Sequence, residues 1–356
     1  MLLGSTEWVE QHAEELRQHA VVYINTDGND RGLLSMGGSH TLEQFINGVA
    51  RDIEDPETKL TVWQRLQLSK IAEAKSADDR KELRQRADLR INALGSGTDF
   101  TGFLDHLGIA TLDLGYASED EQGIYHSIYD DFYWYMHFSD YDFIYGRALS
   151  QTVGTSVMRL ADAEVLPFDF VDFADTIQKY TKDLEKLLAD KQDEIRERNQ
   201  ELDEGVFKAT LDPRRPTIAP AREEVPPHLN FAPMQNAAES LARSAEHYRL
   251  ALSHKQAGLS ESQIESLRAL NQQLIGSERK LTNDDGLPRR PWYKHLLYAP
   301  GVYSGYEVKT VPSVREGIEL KRYAEAEQEI VRVGKALQEE SSLIESAAQL
   351  LEQGAH

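Results

Sequence analysis

The chain contains no cysteine among its 356 residues. That removes disulfides, thiolate metal sites and cysteine nucleophiles together. It assigns no compartment, because a cysteine-free chain suits cytosol and periplasm equally. Basic residues are few: 39 Lys and Arg stand against 60 Asp and Glu, a formal net charge of −21. Such a field repels phosphate, so nucleic acid and anionic membrane surfaces are excluded as partners. Apolar runs approaching the roughly 18 residues of a membrane span are missing. The N-terminus also lacks the basic-then-apolar pattern of a signal peptide. Internal repeats of about 20–50 residues are absent, as is a strong local zinc motif such as His-Glu-x-x-His.

Forty per cent of the residues are apolar, which places the chain among soluble globular proteins. Its length permits two domains, and the patterning divides near residue 164. Residues 1–164 read as α/β. Ser5 or Thr6 is expected to cap a helix running through Trp8, Val9, His12 and Leu16. Ala20 to Asn25 is a β-branched run suited to a buried strand that ends at Thr26-Asp27-Gly28. Gly37-Gly38-Ser39 reads as a turn into a helix near 41–53, and 55–88 as helix and excursion. Ile91–Leu94 and Ile109–Leu114 read as further strands, with Gly95-Ser96-Gly97-Thr98-Asp99 and a helix through Phe100 to Leu107 between them. Residues 165–356 read as an all-α bundle. Phe170, Phe173, Ile177, Tyr180, Leu184 and Leu187 form one helical stripe. Six of the twelve prolines fall between Pro213 and Pro233, marking an extended connection. Helices are expected to resume near 234–255, 260–280, 313–335 and 337–353.

Taken singly, the chemical residues have plain structural readings. Asp27 fits an Asp-Gly turn, and His126, in the polar aromatic loop Tyr125-His126-Ser127, fits a hydrogen-bonding structural histidine. Tyr125 could donate to an oxyanion or merely pack. His40 reads as a capping or turn residue. His295, Trp292, Tyr293 and Tyr298 read as core rather than interface anchors.

In combination and order these segments resemble the glutamate carboxypeptidase II and transferrin receptor family of co-catalytic zinc exopeptidases and non-catalytic relatives. The matching blocks are Leu2-Leu3-Gly4-Ser5-Thr6-Glu7-Trp8, Tyr23-Ile24-Asn25 with Asp27, Leu94-Gly95-Ser96-Gly97 with Asp99-Phe100, and Leu107-Gly108-Ile109-Ala110. They continue with Tyr125-His126-Ser127, Leu166-Pro167-Phe168-Asp169 and Tyr293 to Pro300, so the resemblance runs nearly end to end.

The resemblance implies two zinc ions in a complete family enzyme, with Asp27 a ligand of one and His126 a ligand of the other. Tyr125 would polarise the scissile carbonyl. Leu2, Ser96, Gly97, Thr98 and Tyr306 would line the substrate site. It further implies that the Glu-Glu pair of ligand and general base falls just ahead of Leu2, with another His and the bridging Asp earlier still. The chain is therefore expected to be the C-terminal part of such an enzyme, with no general base of its own and no activity in isolation. A complete parent could be secreted, periplasmic or anchored, and localisation stays unassigned. The second half resembles the family's dimerisation domain, which implies a homodimer. The rival reading is a non-catalytic binding and dimerisation protein, as in the receptor branch. Retention of Asp27, Tyr125 and His126 together argues against it. Without upstream neighbours the α/β part is expected to be loosened and aggregation-prone.

Two departures concern the substrate. Gly305-Tyr306 replaces the family's Lys-Tyr pair for a C-terminal glutamate, and Asp113 and Gly115 stand where that relative carries arginines. Losing those cations removes charge-assisted bonds to acidic side chains. A complete parent is expected to cleave peptides ending in alanine or leucine with higher kcat/KM than peptides ending in glutamate. A large preference for glutamate in a side-by-side assay would refute this.

Overall fold

The computed structural model describes residues 2–118, 123–210, 214, 218, 220–254, 261–305 and 307–353. Two short helices open the chain, α1 (Leu3–Gln11) and α2 (Ala13–His19). Ser5 does not cap α1. It lies inside the first turn, and its hydroxyl donates to the Leu2 carbonyl at 3.1 Å, the back-bonding that competes with capping. Next come β1 (Tyr23–Asn25), β2 (Gly32–Gly38), a 3-10 turn (His40–Leu42) and α3 (Glu43–Asp52). They are followed by α4 (Val62–Glu73), α5 (Ala77–Gln85), a π-helical turn (Gly102–His106) and β3 (Thr111–Ser118). Thr61 closes a capping box on α4 with Gln64. Helices α6 (Phe132–Phe138) and α7 (Ile144–Ala161) complete this part.

The sheet has the order β1-β3-β2, with β1 parallel and β2 antiparallel to β3. Strand β2 departs from expectation: Gly37 and Gly38 end a strand rather than make a turn. They are glycines because neighbouring backbone and side chains crowd them. A Cβ at Gly37 would lie 2.7 Å from Leu94 Cδ2, and one at Gly38 would lie 2.1 Å from the Thr111 carbonyl oxygen. Ile91–Leu94 is correspondingly not a strand; Asn92 alone bridges Gly37.

The second half is mainly helical. It begins with α8 (Val171–Glu204) and α9 (Val206–Thr210). The stripe on α8 is buried at Phe173, Ile177, Tyr180 and Leu184, then continues through Leu188 rather than Leu187. Residues 223–231 run without regular structure along α8, where Asn199 exchanges hydrogen bonds with the Glu223 backbone at 2.7 and 3.1 Å. After them come α10 (Ala232–Ser253), α11 (Glu261–Ile275) and α12 (Ser277–Lys280). A small antiparallel hairpin of β4 (Tyr298–Pro300) and β5 (Val308–Thr310) corrects the all-α expectation. Helices α13 (Pro312–Glu319) and α14 (Tyr323–Gln353) close the chain. The expected break near 336 falls instead between Glu319 and Tyr323, and α14 passes straight through Gly334, where the Pro233 carbonyl comes within 2.8 Å of a would-be Cβ.

One apolar core runs from Leu34 on β2 to Leu351 on α14, so the two halves share it. A satellite of Val9, Phe103, Leu107 and Ile109 seats α1, and Tyr23 stacks on Phe103 with ring centres 3.9 Å apart. Among the described residues no helix is long and apolar enough to cross a membrane.

Within the bundle Glu340 is fully buried on α14 and accepts from Ser277 Oγ at 2.5 Å. Burial first, then the nearby Glu278 charge, push its pKa up to about 8. The folded state thus keeps a proton that the unfolded chain releases at the usual carboxylate value. Stability is complete below that unfolded value and is lost as pH rises through about 8. Glu340→Gln is expected to flatten this part of the pH–stability curve. The gain at pH 9 should be on the order of a few kcal/mol, measured by urea unfolding at pH 5 and pH 9.

Candidate functional site

Strand β1 ends at Asn25 beside Asp113 of the parallel β3, which runs on to Ser118; in open α/β sheets the ends of parallel strands are where sites form. Asn25 pairs with Asp113 in register. The Asn25 side chain is buried, and its Nδ2 donates to Asp113 Oδ1 at 2.9 Å and to Thr98 Oγ1 at 2.8 Å. Its Oδ1 accepts from the Tyr23 hydroxyl at 3.1 Å. One amide therefore gathers both strands and the loop that follows Leu94. Asp27 stands two residues beyond Asn25 and is exposed.

The site is negatively charged. Burial raises the Tyr23 pKa, and Asp99, Asp27 and Asp113 raise it further. Burial also lifts the Asp113 carboxyl, opposed by the Asn25 bond and reinforced by Asp27. Such a cleft mouth suits a cationic group better than a carboxylate.

The loop carrying Ser96, Gly97 and Thr98 is held at both ends. Thr98 takes the Asn25 bond, while Ser96 Oγ donates to the Gly305 carbonyl of the second half at 2.8 Å. Gly97 has φ 112°, open to glycine and strained for other residues. Leu2 is partly buried ahead of α1, and its carbonyl accepts from Ser5 and from the Thr6 amide. Tyr306 lies outside the described residues.

Tyr125 and His126 occupy an exposed turn closed by the Ser127 amide on the Ile124 carbonyl at 2.8 Å. Their rings stack with centres 3.8 Å apart, and His126 adopts φ 63°. Tyr125 is 70% exposed, leaving its hydroxyl in solvent. The structure thus joins Asn25, Thr98, Ser96 and Gly305 through hydrogen bonds and places Asp27 beside them, with Tyr125 and His126 on a separate turn.

Among the described residues no group of three or more His, Cys, Asp or Glu is arranged to hold a metal ion. A di-zinc centre needs about three protein ligands per ion. Asp27 and His126 do not by themselves fit one.

His40, His295, Tyr298 and Trp292 make structural contacts. His40 is buried, with Nε2 2.7 Å from the Tyr180 hydroxyl. His295 and Tyr298 are fully buried and stacked. His295 Nδ1 accepts from the Leu297 amide, so Nε2 carries the proton toward Glu278 Oε1 at 2.9 Å. Trp292 donates to Glu10 Oε1 at 2.6 Å and stacks on His106, tying the second half to α1 within one chain. The sequence pointed to Ser96 only as a border of the substrate site and gave Asn25 no role of its own. Their partners lie 73, 88 and 209 positions away, and no local pattern announces them.

Residues 229–345 match the model of the transferrin receptor-like dimerisation domain. Over 351 residues the chain is 28% identical to the probable glutamate carboxypeptidase LAMP1 of Arabidopsis thaliana, covering 96% of this chain and 43% of that protein. A probable glutamate carboxypeptidase of Arthroderma benhamiae is 26% identical over 349 residues, 97% of this chain and 41% of the relative. Aminopeptidase NAALADL1 of Rattus norvegicus is 25% identical over 349 residues, 93% of this chain and 40% of the relative. The chain spans about two fifths of the length of these curated relatives.

Asn25→Ala is expected to leave the half-buried Asp113 without its donor and to release the Thr98 loop. The cost should be about 1–3 kcal/mol in urea unfolding. A loss below about 0.5 kcal/mol would show that the amide is not the organising group.

Proposed function

The chain is a relative of the transferrin receptor-like and glutamate carboxypeptidase proteins, and from that premise we propose that it is the C-terminal part of a zinc-dependent exopeptidase. The observation that carries this is similarity to named peptidases over 96% of its residues. In this reading residues 1–164 contribute part of the peptidase α/β domain, and residues 165–356 form the dimerisation domain of a homodimer. Asp27 would hold one zinc ion and His126 the other.

The residues present do not complete either zinc site. What the chain does supply is the setting. Tyr125 presents a hydroxyl that can donate to a carbonyl oxygen. Leu2, Ser96, Gly97, Thr98 and Tyr306 would border the peptide. The carboxylates of Asp27, Asp99 and Asp113 favour a free α-amine or a basic side chain and disfavour an acidic one, which agrees with aminopeptidase as well as carboxypeptidase action. The match of residues 229–345 to a dimerisation domain favours a second reading, a non-catalytic partner-binding protein.

These 356 residues as an isolated polypeptide lack a general base for water activation in this reading. They are expected to hold zinc substoichiometrically by elemental analysis and to leave leucine and alanine dipeptides intact. Metal-dependent hydrolysis by this polypeptide, abolished in His126→Ala, would overturn the proposed inactivity. In a form extended ahead of Leu2 that does hydrolyse them, His126→Ala should lower kcat by about 100-fold or more. An unaffected kcat would remove His126 from the zinc site.

A further inference from the structure

We propose that Glu316 is a positioning residue for the peptide cleft: with Arg290 and the Val302 amide it fixes the 301–305 turn that Ser96 ties to the 96–98 loop. This rests on the peptidase reading for its consequence, though not for its geometry.

Glu316 lies on α13 and is 3% exposed. Arg290 Nη2 donates to both of its oxygens at 3.0 Å. Oε1 also accepts from the Val302 amide at 2.8 Å. The turn is then folded by the Gly301 amide on the Glu307 carbonyl at 3.0 Å and the Ser304 amide on the Gly301 carbonyl at 3.2 Å. Its last residue, Gly305, receives the Ser96 hydroxyl at 2.8 Å. From there Thr98 reaches Asn25 at 2.8 Å. A chain of polar contacts therefore runs from a buried ion pair in the second half to the strand end that precedes Asp27.

The turn is the loop of the β4–β5 hairpin, whose pairing holds its two ends. Tyr303 is 82% exposed, so its ring gives no apolar anchor. Two carboxyl groups face Arg290, and they are not equivalent. Asp105 is fully buried, and neither of its oxygens has a hydrogen-bond partner among the described residues. Burial, which disfavours its charged form, raises its pKa well above the ordinary value against the opposing pull of Arg290. Glu316, bonded on both oxygens, is the anion that pairs with Arg290 and orients the turn. Removing its charge should let the turn drift from the loop while the distant sheet stays intact.

The chain has no cysteine of its own, so a Ser96→Cys/Gly305→Cys pair reports the approach of the two loops through its rate of disulfide formation. In that background Glu316→Gln is expected to slow cross-linking by about tenfold, and Glu316→Asp to restore part of the rate. Amide exchange at Val302 should accelerate by a similar factor while the β2–β3 amides keep their protection. Unchanged cross-linking, or faster exchange throughout the molecule, would overturn the proposal. Should Glu316→Gln not fold, Arg290→Lys replaces it in both measurements, since it keeps the charge and loses the two-pronged bond. In a longer, zinc-loaded form that hydrolyses a leucine dipeptide, Glu316→Gln and Ser96→Ala should each raise KM several-fold with kcat within about twofold. A fall in kcat alone would count against positioning. If no form hydrolyses the dipeptide, the peptidase reading fails, and cross-linking and exchange alone decide the role of Glu316.

Discussion

A carboxylate with no exposed surface must be paired or it costs several kcal/mol, and Glu43 imposes that demand at the join between the two halves. Its Oε1 receives Arg86 Nη2 at 2.7 Å and its Oε2 receives the Ile91 amide at 3.0 Å. Arg86 continues to Asp172 at 2.9 Å and to Asp175, both on α8. Arg90 adds a second bond to Asp175 at 2.7 Å. One buried charge thus aligns α3, the 86–91 stretch and the long helix of the bundle. The crowding shows in Asp172, whose pKa is pushed up to about 7 by burial and then by Glu43. With this join set, the sheet sits on the bundle at one place, and the loops at its strand ends meet the 301–305 turn.

The junction at the end of β1 is built from two sides joined by polar contacts. On one side Asn25 draws β1, β3 and Thr98 together; on the other, the segment from Arg290 to His295 reaches across. Arg290 binds Glu316, the backbone amides of Lys294 and His295 donate to the Asp105 carbonyl at 2.7 and 3.1 Å, and Trp292 binds Glu10. The aromatic and histidine residues of that segment belong to this cross-connection. Apolar packing makes the halves inseparable, while directional bonds decide where the loops stand.

Similarity and geometry bear on different questions. The similarity is to proteins named as probable glutamate carboxypeptidases and as an aminopeptidase. The geometry shows Asp27 just beyond a strand end, an exposed turn bearing Tyr125 and His126, and a mainly helical second half of which residues 229–345 match a dimerisation domain. The concentration of carboxylates at the strand end makes that place locally negative, because the charges stand close together.

Local patterns in the sequence were enough for the β-branched strand before Asp27, the third strand, the stripe on α8 and the unstructured run along it. Those features depend on alternation and on helical spacing, which neighbouring residues set. The ordered blocks around Asp27, Tyr125 and His126 likewise carried the resemblance to known proteins without any fold. Tertiary structure alone decided that Gly37 and Gly38 lie in a strand, because their lack of a side chain answers to Leu94 and Thr111 rather than to a turn. It also decided the β4–β5 hairpin, the uninterrupted passage of α14 through Gly334, and the role of Ser96, whose partner is 209 positions away. Burial, close approach and hydrogen bonding between distant segments exist only once the chain has folded, and no periodicity along the sequence encodes them.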